Sequence, residues 1–194
     1  MKFLDLINIV NEQSNLPQIE FDHKSLSIVN DYSSDPSLTE TEFNFIIETV
    51  KNNNLKVGRS ISNDWGLSFL AAGLGLKTVY YNTFIPNTWK FEEFFNNYFK
   101  TDIKCYTCVD VNDLPKSLDY LFISEPNPIY LDNIINNYGK LLSEKFIVFL
   151  HHSDQYSEEY KQKLSDACGY PLTPVFADSS SDHYNLAYIS PLRI

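Results

Sequence analysis

The sequence has few cysteines and no long apolar run. Its three cysteines, Cys105, Cys108 and Cys168, are too few for a disulfide scaffold, and an odd count indicates a reducing compartment. Cys105 and Cys108 form a C-x-x-C pair on a predicted strand, where side chains three apart point to opposite faces, so we do not expect a shared metal or disulfide. No stretch reaches the ~20 apolar residues that cross a bilayer. Asp5 and Asn8 interrupt the apolar start, which makes it a poor signal peptide, and we expect a cytoplasmic protein without membrane contact.

Basic residues are also scarce. The chain of 194 residues has 15 Lys and Arg against 25 Asp and Glu, a net charge of −10. Proteins that grip a nucleic-acid backbone use clustered Lys and Arg, and here the basic residues are scattered. The acidic composition therefore disfavours direct nucleic-acid binding and favours a small-molecule ligand or a protein partner; a homo-oligomer stays open.

A capped helix is the first clear element. Thr39 is a typical N-cap, and Glu42 three residues later completes a capping box. The apolar face of this helix then repeats at i, i+3, i+4 and i+7, at Phe43, Ile46, Ile47 and Val50. We interpret residues 1–36 as an N-terminal extension packed on one domain that spans residues 37–194.

Strands and helices alternate after this helix. We predict strands at residues 55–61, 77–82, 103–111, 118–124, 146–150, 172–177 and 184–189, and helical faces around residues 67–74, 91–99, 131–142 and 155–167. Such alternation predicts an α/β fold, a three-layer Rossmann-like sandwich with a mostly parallel seven-stranded sheet. The last two strands, separated by the turn at residues 178–182, predict a C-terminal antiparallel hairpin.

This order of elements resembles the class I (Rossmann-like) S-adenosylmethionine-dependent methyltransferases, and the small O-methyltransferases most of all. Residues 38–47 resemble the family's leading helix, residues 60–70 stand where its glycine-rich cofactor loop lies, and residues 118–124 resemble a later strand. The resemblance covers roughly residues 38–190. It implies S-adenosylmethionine as cofactor and transfer of a methyl group to a hydroxyl of a small molecule or sugar.

The cofactor positions depart from the family pattern. Ser60 stands where the family has the acid that holds the methionine amino group, and Ser62 and Asp64 stand where it has glycines. Gly66 is retained. Trp65, inside this loop, would fill space that a cofactor occupies.

Two further positions belong to the implied cofactor site. Asn82 stands where the family has the acid that binds the ribose hydroxyls, and Asp110 or Asp113 takes the place of the acid near the adenine. Each lost charged hydrogen bond costs about 1–3 kcal/mol, so three or four losses would weaken binding by a factor of about a thousand or more.

The predicted catalytic residues are His151, His152 and Glu125. The two histidines follow a buried strand at the carboxyl edge of the sheet, where open α/β folds bind ligands, and either could act as a general base on a hydroxyl. The alternative is a hydrogen-bonded loop histidine. Glu125 and Asp154 flank this edge and would form an acid–base cluster or a weak metal site with His151, or else remain solvated carboxylates. We assign no metal.

Two functions remain open from the sequence. The first is a methyltransferase with a divergent cofactor loop. The second is a catalytically inactive methyltransferase-like domain that binds a protein partner or another ligand, which the substitutions at Ser60, Ser62, Asp64 and Asn82 favour.

Overall fold

The fold is taken from a computed structural model. It describes residues 1–22, 25–28, 38–62, 67–74, 79–81, 88–101, 103–105, 117–124, 132, 135–137, 139–175 and 186–194. The helices in this part of the chain are α1 (Phe3–Asn11), α2 (Glu40–Asn52), α3 (Leu67–Leu74), α4 (Thr88–Phe99) and α5 (Glu158–Cys168). The strands are β1 (Ile19–Asp22), β2 (Ser25–Ile28), β3 (Gly58–Ser62), β4 (Val79–Tyr81), β5 (Ile103–Cys105), β6 (Leu118–Ser124), β7 (Leu142–Leu150), β8 (Thr173–Pro174) and β9 (Ala187–Ile189).

Five strands form one mixed sheet in the order β3-β6-β7-β9-β8. β3, β6 and β7 are parallel, whereas β9 runs antiparallel to both β7 and β8. β4 and β5 form a separate parallel pair, with β4 in contact with β3, and β1 and β2 form an antiparallel pair. The α/β class predicted from the sequence is therefore confirmed. A continuous sheet of seven strands is not, and the connection expected to close the C-terminal hairpin lies outside the described residues.

The central strands β6 and β7 carry apolar side chains on both faces, which explains their nearly continuous apolar sequences. On one face Tyr120, Phe122, Ile147 and Phe149 pack with residues of α1 to α4. On the other face the packing is with α5, through Leu121, Ile123, Val148, Leu150, Tyr160 and Leu164. Burial of one such side chain stabilises the fold by about 1.5–3 kcal/mol, so the sheet is held between two apolar layers.

Helix α1 lies within the predicted N-terminal extension and joins the first apolar layer. Its residues Phe3, Leu6 and Val10 have no exposed surface, and the rings of Phe3 and Phe43 lie 4.8 Å apart between centroids. Apolar positions spaced three and four apart bring these side chains onto one face of the helix. The helix therefore packs against α2, while the division at residue 36 stays a prediction.

Two element boundaries differ from those predicted. The helix predicted around residues 131–142 is present at the described residues 132 and 135–137, but it ends earlier than predicted: a 3-10 turn follows at Gly139–Leu141, and β7 begins at Leu142. Leu141 and Leu142 pack against the second apolar layer, a contact that a strand satisfies as well as a helix does. The strand predicted at residues 172–177 consists of Thr173–Pro174. It lies at the sheet edge, where a proline, which lacks an N–H group, is tolerated.

Within the described ranges, no helix has both the length and the apolar composition needed to cross a membrane.

Candidate functional site

The carboxyl ends of the parallel strands meet at one edge of the sheet. Ser62 at the end of β3 is paired in register with Ser124 at the end of β6, and His151 follows the last residue of β7. The backbone N–H of His151 donates a hydrogen bond to the carbonyl of Ile123 at 2.9 Å, which continues the β6–β7 pairing past the end of the strand. Ser124 and His151 are therefore neighbours at the edge where open α/β sheets bind ligands.

His151 is deeply buried. Its exposed fraction is 2%, and its ring lies against Phe122 with 5.7 Å between ring centroids. Nδ1 of His151 is 3.0 Å from Oγ of Ser124, and Nε2 is 3.4 Å from Oε2 of Glu42. The three side chains form a buried row, named here the Glu42–His151–Ser124 chain, in which both ring nitrogens of the histidine face a polar partner.

The first turn of α2 holds Glu42 in this row. The backbone N–H of Thr39 donates to Oε2 of Glu42 at 3.0 Å, and the Thr39 hydroxyl donates to the same oxygen at 2.9 Å. In return, Oγ1 of Thr39 accepts a hydrogen bond from the backbone N–H of Glu42 at 3.1 Å. The predicted capping box is therefore confirmed, and it fixes the carboxylate that approaches His151.

The carboxyl group of Glu42 is ionised at neutral pH. Burial raises its pKa, but the hydrogen bond and charge of His151, together with the hydrogen bonds from Thr39, outweigh burial and lower the pKa below 4.5. At 3.4 Å the contact with His151 is a long hydrogen bond, and attraction to protonated His151 adds to its effect on the pKa of Glu42. The second oxygen, Oε1, is buried and has no hydrogen-bond partner among the described residues. Glu42 therefore brings an ionised, incompletely bonded carboxylate to the sheet edge.

The carboxylate determines where the neutral histidine carries its proton. An ionised carboxylate accepts hydrogen bonds and cannot donate them, which favours the proton on Nε2 of His151. Nδ1 is then the acceptor, and the Ser124 hydroxyl donates to it. Chemically, the row can take up one proton on His151 and hold the resulting cation beside Glu42.

The structure places the other predicted site residues as follows. His152 has a left-handed backbone with φ of 54°, and its ring centroid is 3.9 Å from that of His151. Asp154 is exposed in the 3-10 turn Ser153–Gln155. In the part of the chain that the structure describes, Glu42 places a carboxylate beside His151. Ser60 pairs in register with Phe122 on β6. The predicted residues outside the described ranges are Asp64, Gly66, Asn82, Asp110 and Glu125.

Sequence reasoning did not assign Glu42 and Ser124 to the site. Glu42 was predicted only as a capping residue, and Ser124 only as the end of a buried strand, at the place where metal-dependent O-methyltransferases have a metal-binding aspartate. The sequence did contain a signal for both residues. Thr39 and Glu42 begin the helix that packs on the central strands. Ser124 ends the strand that lies next to the strand before His151.

Among the residues that the structure describes, no group of three potential metal ligands occurs.

A separate groove of about 430 Å³ lies between α4 and the segment after α1. Lys90, Glu93 and Phe94 line it from α4, and Gln13 and Asn15 line it from the other side. None of these residues belongs to the Glu42–His151–Ser124 chain. The chemistry of the candidate site therefore depends on the sheet edge and not on this groove.

Comparisons with known proteins show the fold. No protein-family profile and no curated protein sequence matches the chain. Among solved structures, the chain is similar to a ribosomal protein L11 methylase from Lactobacillus delbrueckii subsp. bulgaricus, with a TM-score of 0.54, 16% identity and 77% of each chain covered.

Two other solved structures cover more of the chain. A precorrin-6y C5,15-methyltransferase from Geobacter metallireducens has a TM-score of 0.57 and 12% identity over 86% of this chain and 97% of that one. A protein from Staphylococcus aureus provisionally named a caffeoyl-CoA O-methyltransferase has a TM-score of 0.57 and 12% identity over 98% and 93%. The chain has the Rossmann-like fold of class I S-adenosylmethionine-dependent methyltransferases.

Proposed function

We propose that this protein binds S-adenosylmethionine at the carboxyl edge of its sheet and transfers the methyl group to a hydroxyl of a small molecule or sugar, with His151 as the base. The observation that carries the proposal is the buried Glu42–His151–Ser124 chain at the ends of β6 and β7. A histidine without a charged partner could serve the fold alone. A histidine held between an ionised carboxylate and a hydroxyl is equipped to accept a proton.

The proposal requires a group that holds the amino end of S-adenosylmethionine. The family uses an acid at the end of the first strand of the domain, where this chain has Ser60. Among described residues, Glu42 is the buried carboxylate at this edge, and its Oε1 lacks a hydrogen-bond partner. An orphaned carboxylate oxygen fits a ligand's positively charged amino group, because a buried acceptor left without a donor costs about 1–3 kcal/mol. This oxygen is closed to solvent, so the proposal includes a local opening of the edge.

S-adenosylmethionine supplies an electrophilic methyl group on a positively charged sulfur. The residues of this chain would supply the remaining functions. Glu42 would hold the amino group through Oε1, and His151 would accept the proton that the acceptor hydroxyl must lose when it is methylated. General-base assistance of this kind typically accelerates a reaction by about 10²–10⁴-fold.

A second candidate function is a methyltransferase fold that binds a protein partner or a different ligand without catalysis. The specific observation in its favour is the end of β3, where the described residues are Ser60, Ile61 and Ser62 and contribute no acid. A hydroxyl cannot replace the charge of a carboxylate toward an amino group.

Calorimetric titration of the full chain with S-adenosylmethionine and S-adenosylhomocysteine separates the two functions. We expect micromolar binding of S-adenosylmethionine, reduced at least tenfold in Glu42→Gln and unchanged in Glu159→Gln, a surface substitution. If neither compound gives a heat signal at millimolar concentration, the proposed methyltransferase function is refuted and the non-catalytic function remains.

Transfer itself requires an acceptor. A panel of phenols, catechols and free sugars, assayed by release of S-adenosylhomocysteine, tests the reaction. We expect turnover with at least one hydroxyl compound and loss of turnover in His151→Gln. Binding of S-adenosylmethionine without turnover of any panel compound would contradict the proposed reaction.

A further inference from the structure

We infer that Ser124 is the catalytic residue that contacts the acceptor hydroxyl, and that Glu42 is the positioning residue that fixes the proton-accepting form of His151. This inference rests on the proposed function and assigns the proton path within the same site. Neither residue is among those that the sequence predicted as catalytic.

Direct contact between the acceptor and His151 is disfavoured by the geometry. Nδ1 faces Oγ of Ser124 at 3.0 Å, Nε2 faces Glu42 at 3.4 Å, and the residue is 2% exposed. An acceptor hydroxyl would have to displace one of these partners to reach a ring nitrogen. Ser124 is 8% exposed and ends its strand at the sheet edge, and its oxygen retains lone-pair capacity while its hydrogen points to Nδ1. Ser124 is therefore the least buried member of the row, and an acceptor would reach it through the same local opening of the sheet edge that the bound cofactor requires.

The proton can move along the row in one step. The acceptor hydroxyl gives its proton to Oγ of Ser124 while Ser124 gives its own proton to Nδ1 of His151. The acceptor oxygen forms a bond to the methyl carbon, and the electron pair of the broken sulfur–carbon bond stays on sulfur. The products are the methyl ether, a neutral thioether and protonated His151, so atoms and charge balance. His151 later returns its proton to solvent through Ser124.

Glu42 determines which ring nitrogen of His151 accepts the proton. Its carboxylate keeps the proton of neutral His151 on Nε2, so that Nδ1 is the nitrogen that accepts from Ser124. After transfer, the same carboxylate lies beside the histidine cation, in an apolar environment where opposite charges attract more strongly than in water. Thr39 holds Oε2 with two hydrogen bonds, so Glu42 cannot easily turn away when the charge on His151 changes.

The path also restricts the acceptor. Alcohols and phenols keep their proton at neutral pH and need a base during methylation. A carboxylate acceptor has already lost its proton and would gain nothing from the row. The substrate class is therefore an alcohol or phenol whose hydroxyl reaches Ser124.

The role of Glu42 can be measured without any methyl donor or acceptor. Long-range ¹H–¹⁵N NMR of the full chain reports which ring nitrogen of His151 carries the proton. We expect the Nε2–H form in the wild type and a mixture of both forms in Glu42→Gln, with Glu159→Gln identical to the wild type. An Nδ1–H form in the wild type would overturn the positioning role, whatever the outcome of the activity assays.

The role of Ser124 is tested by Ser124→Ala and Ser124→Thr. We expect kcat to fall at least 100-fold in the alanine variant and less than tenfold in the threonine variant, which keeps a hydroxyl, with KM for S-adenosylmethionine within twofold in both. Circular dichroism and thermal unfolding confirm that each variant is folded. Turnover by Ser124→Ala at the wild-type rate would refute the proton path and leave the proposed methyl transfer standing. A wild type that binds S-adenosylmethionine and methylates no alcohol or phenol would refute both.

The pH profile separates catalysis from a purely structural role. Because His151 accepts a proton as a neutral base, kcat should rise with pH through its titration. Glu42 and His152, whose ring centroid is 3.9 Å from that of His151, are the titratable groups that face it among the described residues. In Glu42→Gln the midpoint should move to lower pH, because the histidine cation loses its carboxylate partner. An unchanged midpoint in this variant would contradict the coupling between Glu42 and His151.

Discussion

Oε2 of Glu42 and Nε2 of His151 lie 3.4 Å apart, and both side chains are almost completely buried, with exposed fractions of 1% and 2%. The two residues come from the first turn of α2 and from the end of β7, so folding alone brings them together. Removing an ionised carboxylate from water is costly unless partners compensate it. Thr39 and His151 provide that compensation, and the pair links the start of the capped helix to the carboxyl edge of the sheet.

Removal of the Glu42 carboxylate should destabilise the protein. We expect Glu42→Gln to lower the free energy of unfolding by about 1–3 kcal/mol, the scale of a charged hydrogen bond that is lost from a buried site. The cost stays below that of a fixed buried ion pair, because His151 can release its proton. Urea unfolding at pH 7 measures the change. Glu159→Gln is the control, since its exposed pair with Lys163 at 2.8 Å should contribute nothing measurable; equal stability of the two variants would contradict the prediction.

The Glu42–His151 pair also predicts how the free energy of unfolding changes at acid pH. The pKa of Glu42 is lower in the folded protein than its ordinary value of 4.5. A group with a lowered folded pKa stabilises the fold fully above the unfolded pKa and loses that contribution as pH falls through the folded value. The stability difference between wild type and Glu42→Gln should therefore shrink as pH falls below about 4.5, where Glu42 becomes protonated. Urea unfolding at a series of pH values tests this; a difference that still grows as pH falls below about 4 would refute it.

Local patterns in the sequence predicted the parts of this site that depend on neighbouring residues. The capping box of Thr39 and Glu42 was readable because its two residues are three positions apart, and the apolar run of β6 was readable because both of its faces are buried. The row from Glu42 to Ser124 was not readable, because it joins three separate elements. Its assembly depends on the order of strands in the sheet and on the face against which α2 packs, which no local pattern encodes.

Local sequence patterns also failed to fix some boundaries of helices and strands. Apolar spacing around Leu141 and Leu142 suits a helix as well as a strand, and Leu142 belongs to a strand because it pairs with Leu118 of β6. By contrast, α5 was predicted at residues 155–167 and lies at Glu158–Cys168; Gly169, with φ of 75°, ends it as predicted, whereas the cap at Ser157 moves its start three residues later.

Loss of the Thr39 side chain should cost more than loss of an ordinary N-cap. In Thr39→Ala the helix loses its cap, and Glu42 loses the hydroxyl that holds Oε2 beside His151. Ser157→Ala is a matched control, because Ser157 caps α5 with one hydrogen bond to the backbone N–H of Tyr160 at 3.2 Å. We expect about 1 kcal/mol for Ser157→Ala and about 2 kcal/mol or more for Thr39→Ala, measured by urea unfolding. A cost for Thr39→Ala no greater than that for Ser157→Ala would show that the link to His151 contributes nothing to stability.

Gly58 at the start of β3 should be intolerant of any side chain. A Cβ atom at this position would overlap the ring of Tyr120, which is 4% exposed and lies on the paired position of β6. Overpacking of this kind costs typically about 1–3 kcal/mol, because the ring cannot move in a closely packed layer. Thermal unfolding of Gly58→Ala measures the effect.

Gly139→Ala is the control for this prediction. A Cβ at Gly139 would come no closer than 3.4 Å to the carbonyl oxygen of Ala167, at the tight limit of ordinary contact. We expect a midpoint within a few degrees of the wild type for Gly139→Ala and a clearly lower one for Gly58→Ala. If Gly58→Ala unfolded at the wild-type temperature, the close packing of Tyr120 on β3 would be wrong.

Cys168, the last residue of α5, should react slowly with alkylating reagents. Burial raises the pKa of its thiol to about 11, and only the thiolate is nucleophilic. At pH 8 a thiol with this pKa is about 0.1% ionised, against roughly a quarter for an unperturbed cysteine, so alkylation should be more than a hundredfold slower than in the unfolded chain. Peptide mass spectrometry after timed treatment with iodoacetamide gives the alkylation rate of Cys168 in the folded protein. The same treatment in about 8 M urea, which unfolds the chain, gives the rate for the unfolded state. Similar rates in the two conditions would mean that the C-terminal end of α5 opens far more often than its packing against β7 implies.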